Sequence, residues 1–137
     1  MATLPSGLPE VVANSEDLAR FLTQSGQFNA MMAKPSAFLP NPKYRNASVF
    51  RAGADPERLR AIWQVTTDGQ RPLKTAAILQ TGTVTEVGLA VIAAEPPDAH
   101  ANLEGWPWHE NDPELQKAKQ LELAAHLAQA STLVRLL

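Results

Sequence analysis

Residues 95–113, EPPDAHANLEGWPWHENDP, decide how the rest of the chain is read. They hold two of the three histidines, two of the three tryptophans and four of the eleven prolines. Each proline removes a backbone donor, fixes φ and pushes the residue before it toward extended conformations. A continuous helix is excluded, and a central strand is disfavoured because proline cannot donate to a ladder. The stretch is predicted to be a long structured loop, a kind that in compact domains is usually functional or disordered. Leu103, Trp106 and Trp108 argue against disorder, since truncating a buried tryptophan costs about 3–5 kcal/mol. A loop lying across the core and pinned by its indoles would hold Asp98, His100, Asn102, Glu104, His109 and Glu110 in fixed positions.

The flanks of this stretch carry regular patterns. Upstream, 89–94 (LAVIAA) is a nearly continuous apolar run, which predicts a strand covered on both faces. Residues 75–80 (TAAILQ) form a second apolar strand, and Thr83 to Glu86 has the spacing of a capping box, enough for one helical turn. Downstream, Asp112-Pro113-Glu114 combines an N-cap, a proline at the first helical position and an acid. A helix is predicted from there to about Val134. Its apolar tracks are Leu115, Ala118, Leu121, Ala125, Ala128 and Leu123, Leu127, Ala130, Val134, with Lys119, Glu122, His126 and Gln129 opposite.

Farther out, 47–51 (ASVFR) predicts a strand with Val49 and Arg51 on one face and Ser48 and Phe50 on the other. Asp55-Pro56-Glu57 opens a second helix, with Leu59, Ile62, Trp63 and Thr66 as its buried stripe and Asp68-Gly69 as its stop. Residues 47–51, 55–66 and 75–80 have the layout of a right-handed crossover. Asn14 to Asp17 reads as a helix start, and Leu18, Phe21 and Leu22 give a stripe that runs to about Gln24. Residues 28–32 suit a strand, 34–40 are extended and broken by prolines, and 41–46 are a polar turn. The expected fold is α+β: a single mixed β-sheet of about four strands packed by about three helices, the last of them long. One domain spans 1–137, with 1–13 loosely ordered.

Composition bounds the rest. At 137 residues, with 45% hydrophobic and 19% charged residues, the chain is of ordinary globular make-up and large enough to bury a core. The absence of cysteine excludes disulfides and thiolate metal sites and fits a reducing cytosol. The first residues carry neither a basic n-region nor an apolar run, and no span of eighteen apolar residues occurs, so a cytoplasmic, non-membrane protein is expected. The net charge of −2 conceals an asymmetry. Residues 34–74 carry eight basic against three acidic groups, and 75–137 carry three against eight. The two halves can pair within one domain, or the first can present a basic face to an anionic partner.

The run KPSAFLPNPKYRNASVFRAG, followed by EPPDAHANLEGWP and a closing helix, resembles a group of small uncharacterised bacterial proteins. The resemblance covers the chain from about Leu18 onward. It implies a bacterial origin and brings with it no reaction, cofactor or catalytic residue.

Several constellations carry chemistry. In an extended segment Asp98, His100 and Asn102 point the same way, and an imidazole oriented by a carboxylate serves as a general base because it titrates near neutrality. His100 is therefore the catalytic candidate. Arg51, with Ser48 and Lys34, suits an anion, since a guanidinium binds phosphate or carboxylate bidentately. Asn102 and Trp106 complete the substrate-binding candidates. Nucleophilic catalysis would use Ser36 or Ser48 with His100, but no G-x-S-x-G elbow is present. His100 and His109 with Glu104, Glu110 or Asp112 match no compact metal motif, so neither metal nor cofactor is expected. Nucleic acid would meet the basic 34–74 region, with Phe38, Tyr44 or Phe50 as stacking surfaces, but the basic groups are dispersed. The primary expectation is a small binding or accessory protein, self-associating through the final helix and the Trp106–Trp108 loop. The alternative is an enzyme acting on an anionic, phosphate- or nucleotide-like substrate, with His100 as general base and Arg51 as anion holder.

Overall fold

The segment expected to open the chain as a helix is a strand instead. The computed structural model describes residues 2–66 and 71–137. In it β1 spans Asp17–Leu22. Leu18 and Leu22 pack into one core and Ala19 and Phe21 into another, on opposite faces of the sheet. A strand buried on both sides is apolar nearly throughout, so Leu18, Phe21 and Leu22 imitate a helical stripe. Glu16 does not cap a helix; it accepts from the Ala13 amide at 2.9 Å and pairs with Arg51.

The remaining elements follow in order. They are β2 (Ala47–Phe50), α1 (Pro56–Gln64), β3 (Thr75–Gln80), α2 (Thr81–Glu86), β4 (Ala90–Ala93), β5 (His100–Glu104), α3 (Pro113–Ala130) and β6 (Thr132–Arg135). Short 3-10 turns occupy Ser25–Gln27 and Pro35–Ala37. Both expected proline starts hold: Asp55 accepts from the Glu57 amide and Asp112 from the Leu115 amide. The expected stop at Asp68-Gly69 lies outside the described residues. Residues 28–32 make only an isolated bridge, Phe28 to Ala33.

The sheet is six-stranded and antiparallel, in the order β4-β5-β2-β1-β3-β6, rather than mixed and of about four strands. Besides β1, two further strands, β5 and β6, were not expected, and they have separate causes. The five residues of β5 lie between Pro97 and Pro107, so no proline falls inside the ladder, and their burial alternates as a strand requires. The segment expected to be a loop is thus the second strand of the sheet, paired with both β2 and β4. At the C-terminus α3 stops at Ala130, and Thr132 to Arg135, rich in β-branched side chains, pair with β3 as an edge strand. Strands β2 and β3 each pair antiparallel with β1, which lies between them. They are therefore parallel to one another and joined through α1, as a crossover that skips one strand.

One face of the sheet is covered by α2, α3 and the Pro35–Ala37 turn, around Leu18, Leu22, Phe38, Val49, Leu103 and Leu127. Trp106 belongs to this core at 6% exposure, and its indole N–H donates to the Leu103 carbonyl. The helical tracks expected for α3 are rotated: Gln120, Ala124, Leu127 and Ala128 are buried, whereas Leu115, Ala118 and Ala125 face solvent. Gln120 is accommodated because its amide donates to the Pro107 carbonyl at 2.9 Å. Strand β4 is an edge strand with Ala90 and Ile92 exposed, not one covered on both faces.

The second face is covered by α1, whose Leu59, Ile62 and Trp63 pack on Ala19, Phe50, Ala76 and Leu136. Nine residues of helix are too short to cover six strands. On the β2–β5–β4 side the same face is left open.

Candidate functional site

The open half of that face carries Ser48, His100 and Asn102. Ser48 stands opposite Asn102 and Phe50 opposite His100 in the β2–β5 register, so all four side chains share one side. Two adjoining lobes of a cleft, about 430 and 760 Å³, meet there and share Arg20, Asn41, Ser48 and His100. The smaller adds Tyr44, Asn46 and Asn102, and the larger adds Phe21, Phe50, Trp63 and Arg71. Aromatic contacts form a continuous wall. Trp63 meets Phe21 edge-on at 5.6 Å, Phe21 stacks on Phe50 at 5.1 Å, and Phe50 lies 5.3 Å from the His100 ring. Trp63, expected to be core alone, thus serves both the core and the cleft.

Arg20 is the residue the sequence reading missed. Strands β1 and β2 stay in register only at Ala19–Phe50, so beyond that pair the Ser48 carbonyl lacks a strand partner. The guanidinium fills the gap. Nη1 donates to the Ser48 carbonyl at 2.7 Å and Nε to the Ala37 carbonyl at 2.8 Å. Burial pushes its pKa down to about 10, still well above neutrality, so the group remains a cation. No carboxylate among the described residues pairs with it. Among the described residues Nη2 has no hydrogen-bond partner, and Arg20 lines both lobes of the cleft. Among the described residues lining both lobes there are two arginines and one histidine and no acid. This described lining is basic in a protein of net charge −2.

His100 is fixed at both ring nitrogens. Nδ1 lies 2.8 Å from the Ala94 carbonyl, which only accepts, so Nδ1 carries the proton of the neutral ring. Nε2 is then the acceptor, and the Ser48 hydroxyl at 2.5 Å donates to it. The carboxylate expected to orient this imidazole, Asp98, takes no part. Ala99 adopts a left-handed φ of 67° and the His100 amide closes a turn onto the Pro97 carbonyl, so the strand alternation does not reach back to Asp98.

The other expected site residues divide. Ser48, His100 and Asn102 come together, and no protein group bonds the Asn102 side chain among the described residues. Arg51 is 4% exposed and fully engaged elsewhere, with Nε and Nη2 on the Glu16 carboxylate at 2.8 Å and Nη1 on the Pro9 carbonyl. It lines neither lobe; its three bonds to Glu16 and Pro9 make it a structural cation. Lys34 is exposed and Trp106 is buried on the opposite face, so neither meets the cleft. Ser36 donates to the Gly26 carbonyl, away from His100. Of the rings expected to stack on bases, Phe38 and Phe50 are buried and Tyr44 is exposed.

The N-terminal residues 2–13 are largely exposed, but are tied down at two points. Glu95 accepts from the Ser6 hydroxyl and amide and from the Ala99 amide. Burial would raise the Glu95 carboxyl, but these bonds and the Arg51 charge outweigh it, leaving the group below its ordinary range. Arg51 holds the Pro9 carbonyl. The expected pairing of the basic and acidic halves is represented by Arg45, which bridges to Glu110 at 2.6 Å and lies over the Trp108 ring at 4.5 Å. Among the described residues no cluster of three or more His, Asp or Glu suits a metal ion, and no helix is long and apolar enough to cross a membrane.

The chain matches no protein-family model, no curated protein and no solved structure. The only signal for Arg20 in the sequence is its isolation: in DLARFL it is the one cation among residues that are otherwise apolar or acidic.

Proposed function

We propose that the protein binds a small anionic molecule, with its carboxylate or phosphate end at Arg20 and an apolar or ring portion along Phe21, Phe50 and Trp63. The observation that carries this reading is the Arg20 guanidinium, desolvated, lining both lobes of the cleft and without an acidic partner among the described residues. A partly buried cation with free donors binds an oxyanion better than an exposed lysine does, because the competing water is already removed and the planar fork matches the anion. Asn102 supplies a neutral amide donor beside it. The role of anion holder passes from Arg51, whose donors are taken, to Arg20.

The reducing cytosol is the setting we propose, supported by a chain without cysteine. Self-association draws support from α3, whose Leu115, Ala118 and Ala125 face solvent, and not from Trp106, which is buried.

Calorimetric titration with phenyl phosphate, benzoate and inorganic phosphate tests the reading. Phenyl phosphate is expected to bind more tightly than inorganic phosphate, and Trp63→Ala to erase that preference. Arg20→Met is expected to weaken phenyl phosphate on the order of 10–100-fold, the value of a charge-assisted bond in a desolvated site. Because Arg20 also holds two backbone carbonyls, Arg20→Lys serves as the variant that keeps the charge and loses the fork. It should bind with intermediate affinity. Absence of binding for all three ligands at millimolar concentration, or equal binding by Arg20→Met, would overturn the reading.

A further inference from the structure

We infer that the cleft is also a site of acyl transfer, in which Ser48 is the nucleophile and His100 its base, acting on an ester or thioester that bears an anionic group. The inference rests on the anion-binding reading for its substrate preference. Its chemistry rests on a separate observation, the directed chain from the Ser48 hydroxyl to His100 Nε2 and from Nδ1 to the Ala94 carbonyl. A histidine that deprotonates a bound substrate needs a free Nε2. Here Nε2 is occupied by Ser48, so the proton placed to leave is that of the serine. The ring cannot flip without losing both bonds, and Phe50 packs against it.

A donor for the developing oxyanion is also present. Arg20, anchored through Nη1 on the carbonyl of Ser48, lines the same cleft and is the holder of the substrate's anionic group. Asn102 lies directly across the β2–β5 ladder from Ser48, on the same face, and its amide has no partner among the described residues. Asn102 is thus the donor assigned to the tetrahedral intermediate, and Arg20 remains for the substrate's anionic group.

The steps balance with water as the only co-reactant. Ser48 Oγ bonds to the carbonyl carbon while its proton passes to Nε2. The bond from that carbon to the leaving oxygen or sulfur then breaks, and Nε2 returns the proton to the leaving group. Water attacks the acyl-serine in the same way, giving a proton to Nε2 that returns to Oγ as the carboxylic acid departs. The third member of the relay is a neutral carbonyl, which fixes the tautomer without compensating the imidazolium charge. Removing the carboxylate from a serine triad costs about 10⁴ in rate, so turnover here is slow and acylation is the step to observe.

The test uses the whole chain with two activated esters, mono-4-nitrophenyl glutarate, which carries a carboxylate, and neutral 4-nitrophenyl butyrate. Release of nitrophenolate is followed together with peptide mass mapping of the adduct. The expected result is a burst with a glutaryl adduct on Ser48, at least about tenfold faster than butyryl transfer. Ser48→Ala should abolish it with an unchanged thermal midpoint, and His100→Ala should slow it by at least about 100-fold. Adducts confined to lysines, or an unaltered burst in Ser48→Ala, would overturn the inference. Phenyl phosphate binding without any Ser48 adduct would overturn acyl transfer alone and leave anion binding standing. A Ser48 adduct with no preference for the anionic ester would overturn the assigned substrate class.

Discussion

Glu16→Gln is expected to destabilise the protein by about 3–5 kcal/mol at neutral pH, the cost of leaving a buried guanidinium without its partner. The Arg51 side chain has no exposed surface and Glu16 keeps 24% of its own, so water cannot replace the lost carboxylate at Arg51. The effect has a pH signature. The hydrogen bond from Arg51 lowers the Glu16 pKa most; burial opposes it, and the Ala13 amide and the Arg51 charge add to the lowering. A carboxyl depressed on folding contributes stability that is present above its ordinary value of 4.5 and lost as pH falls through the folded value. Wild type should therefore lose stability below that pH more steeply than Glu16→Gln, the two curves converging in acid. Urea unfolding across pH 2.5–7 reads both. Parallel curves would mean that the pair contributes nothing. Replacing the pair together, Glu16→Leu with Arg51→Met, should recover much of the loss, since no charge is then left buried.

Trp106→Ala is expected to cost about 3–5 kcal/mol, as large-to-small changes of a buried aromatic do. The ring is nearly enclosed where β5 leaves the sheet, within the core that contains Phe38, Leu103 and Leu127. Trp106→Phe should cost less, about 1 kcal/mol for the indole N–H to the Leu103 carbonyl plus some packing. Denaturant midpoints at constant slope decide the matter. A cost below about 1 kcal/mol for the alanine variant would place the indole outside the core.

These two sites also mark how far the sequence was readable. The Trp106 anchor was legible, because an indole between a glycine and a proline has few alternatives to burial. So were the two Asp-Pro-Glu helix starts, strands 47–50 and 75–80, and the sharing of one side by Ser48 and Phe50. β5 was hidden by neighbouring prolines, whose effect ends within a residue or two and leaves His100–Glu104, between Pro97 and Pro107, free to pair. β1 was hidden by burial on both faces, which removes the polar alternation that distinguishes a half-buried strand from a helix.

Of the candidate site, His100, Ser48 and Asn102 were legible as chemistry, and strand registers bring them together. Arg51 and Arg20 were exchanged. Both are cations at strand positions, and what separates them is which one the fold supplies with a carboxylate. That depends on Glu16, thirty-five residues from Arg51, reaching it across the end of the sheet. Sequence spacing carries no information about such a pairing, whereas the open face beside Arg20 follows from a nine-residue α1 that covers only part of six strands.

The most direct measurement is a ¹H–¹⁵N correlation titration with phenyl phosphate that includes arginine Nε–H and asparagine side-chain resonances. Saturable shifts are expected at Arg20 Nε–H, the Asn102 side-chain amide and the Ser48 and His100 backbone amides, with Arg51 Nε–H unmoved. Shifts centred on Arg51, or on Arg45 and the Trp108 indole, with Arg20 silent, would contradict it.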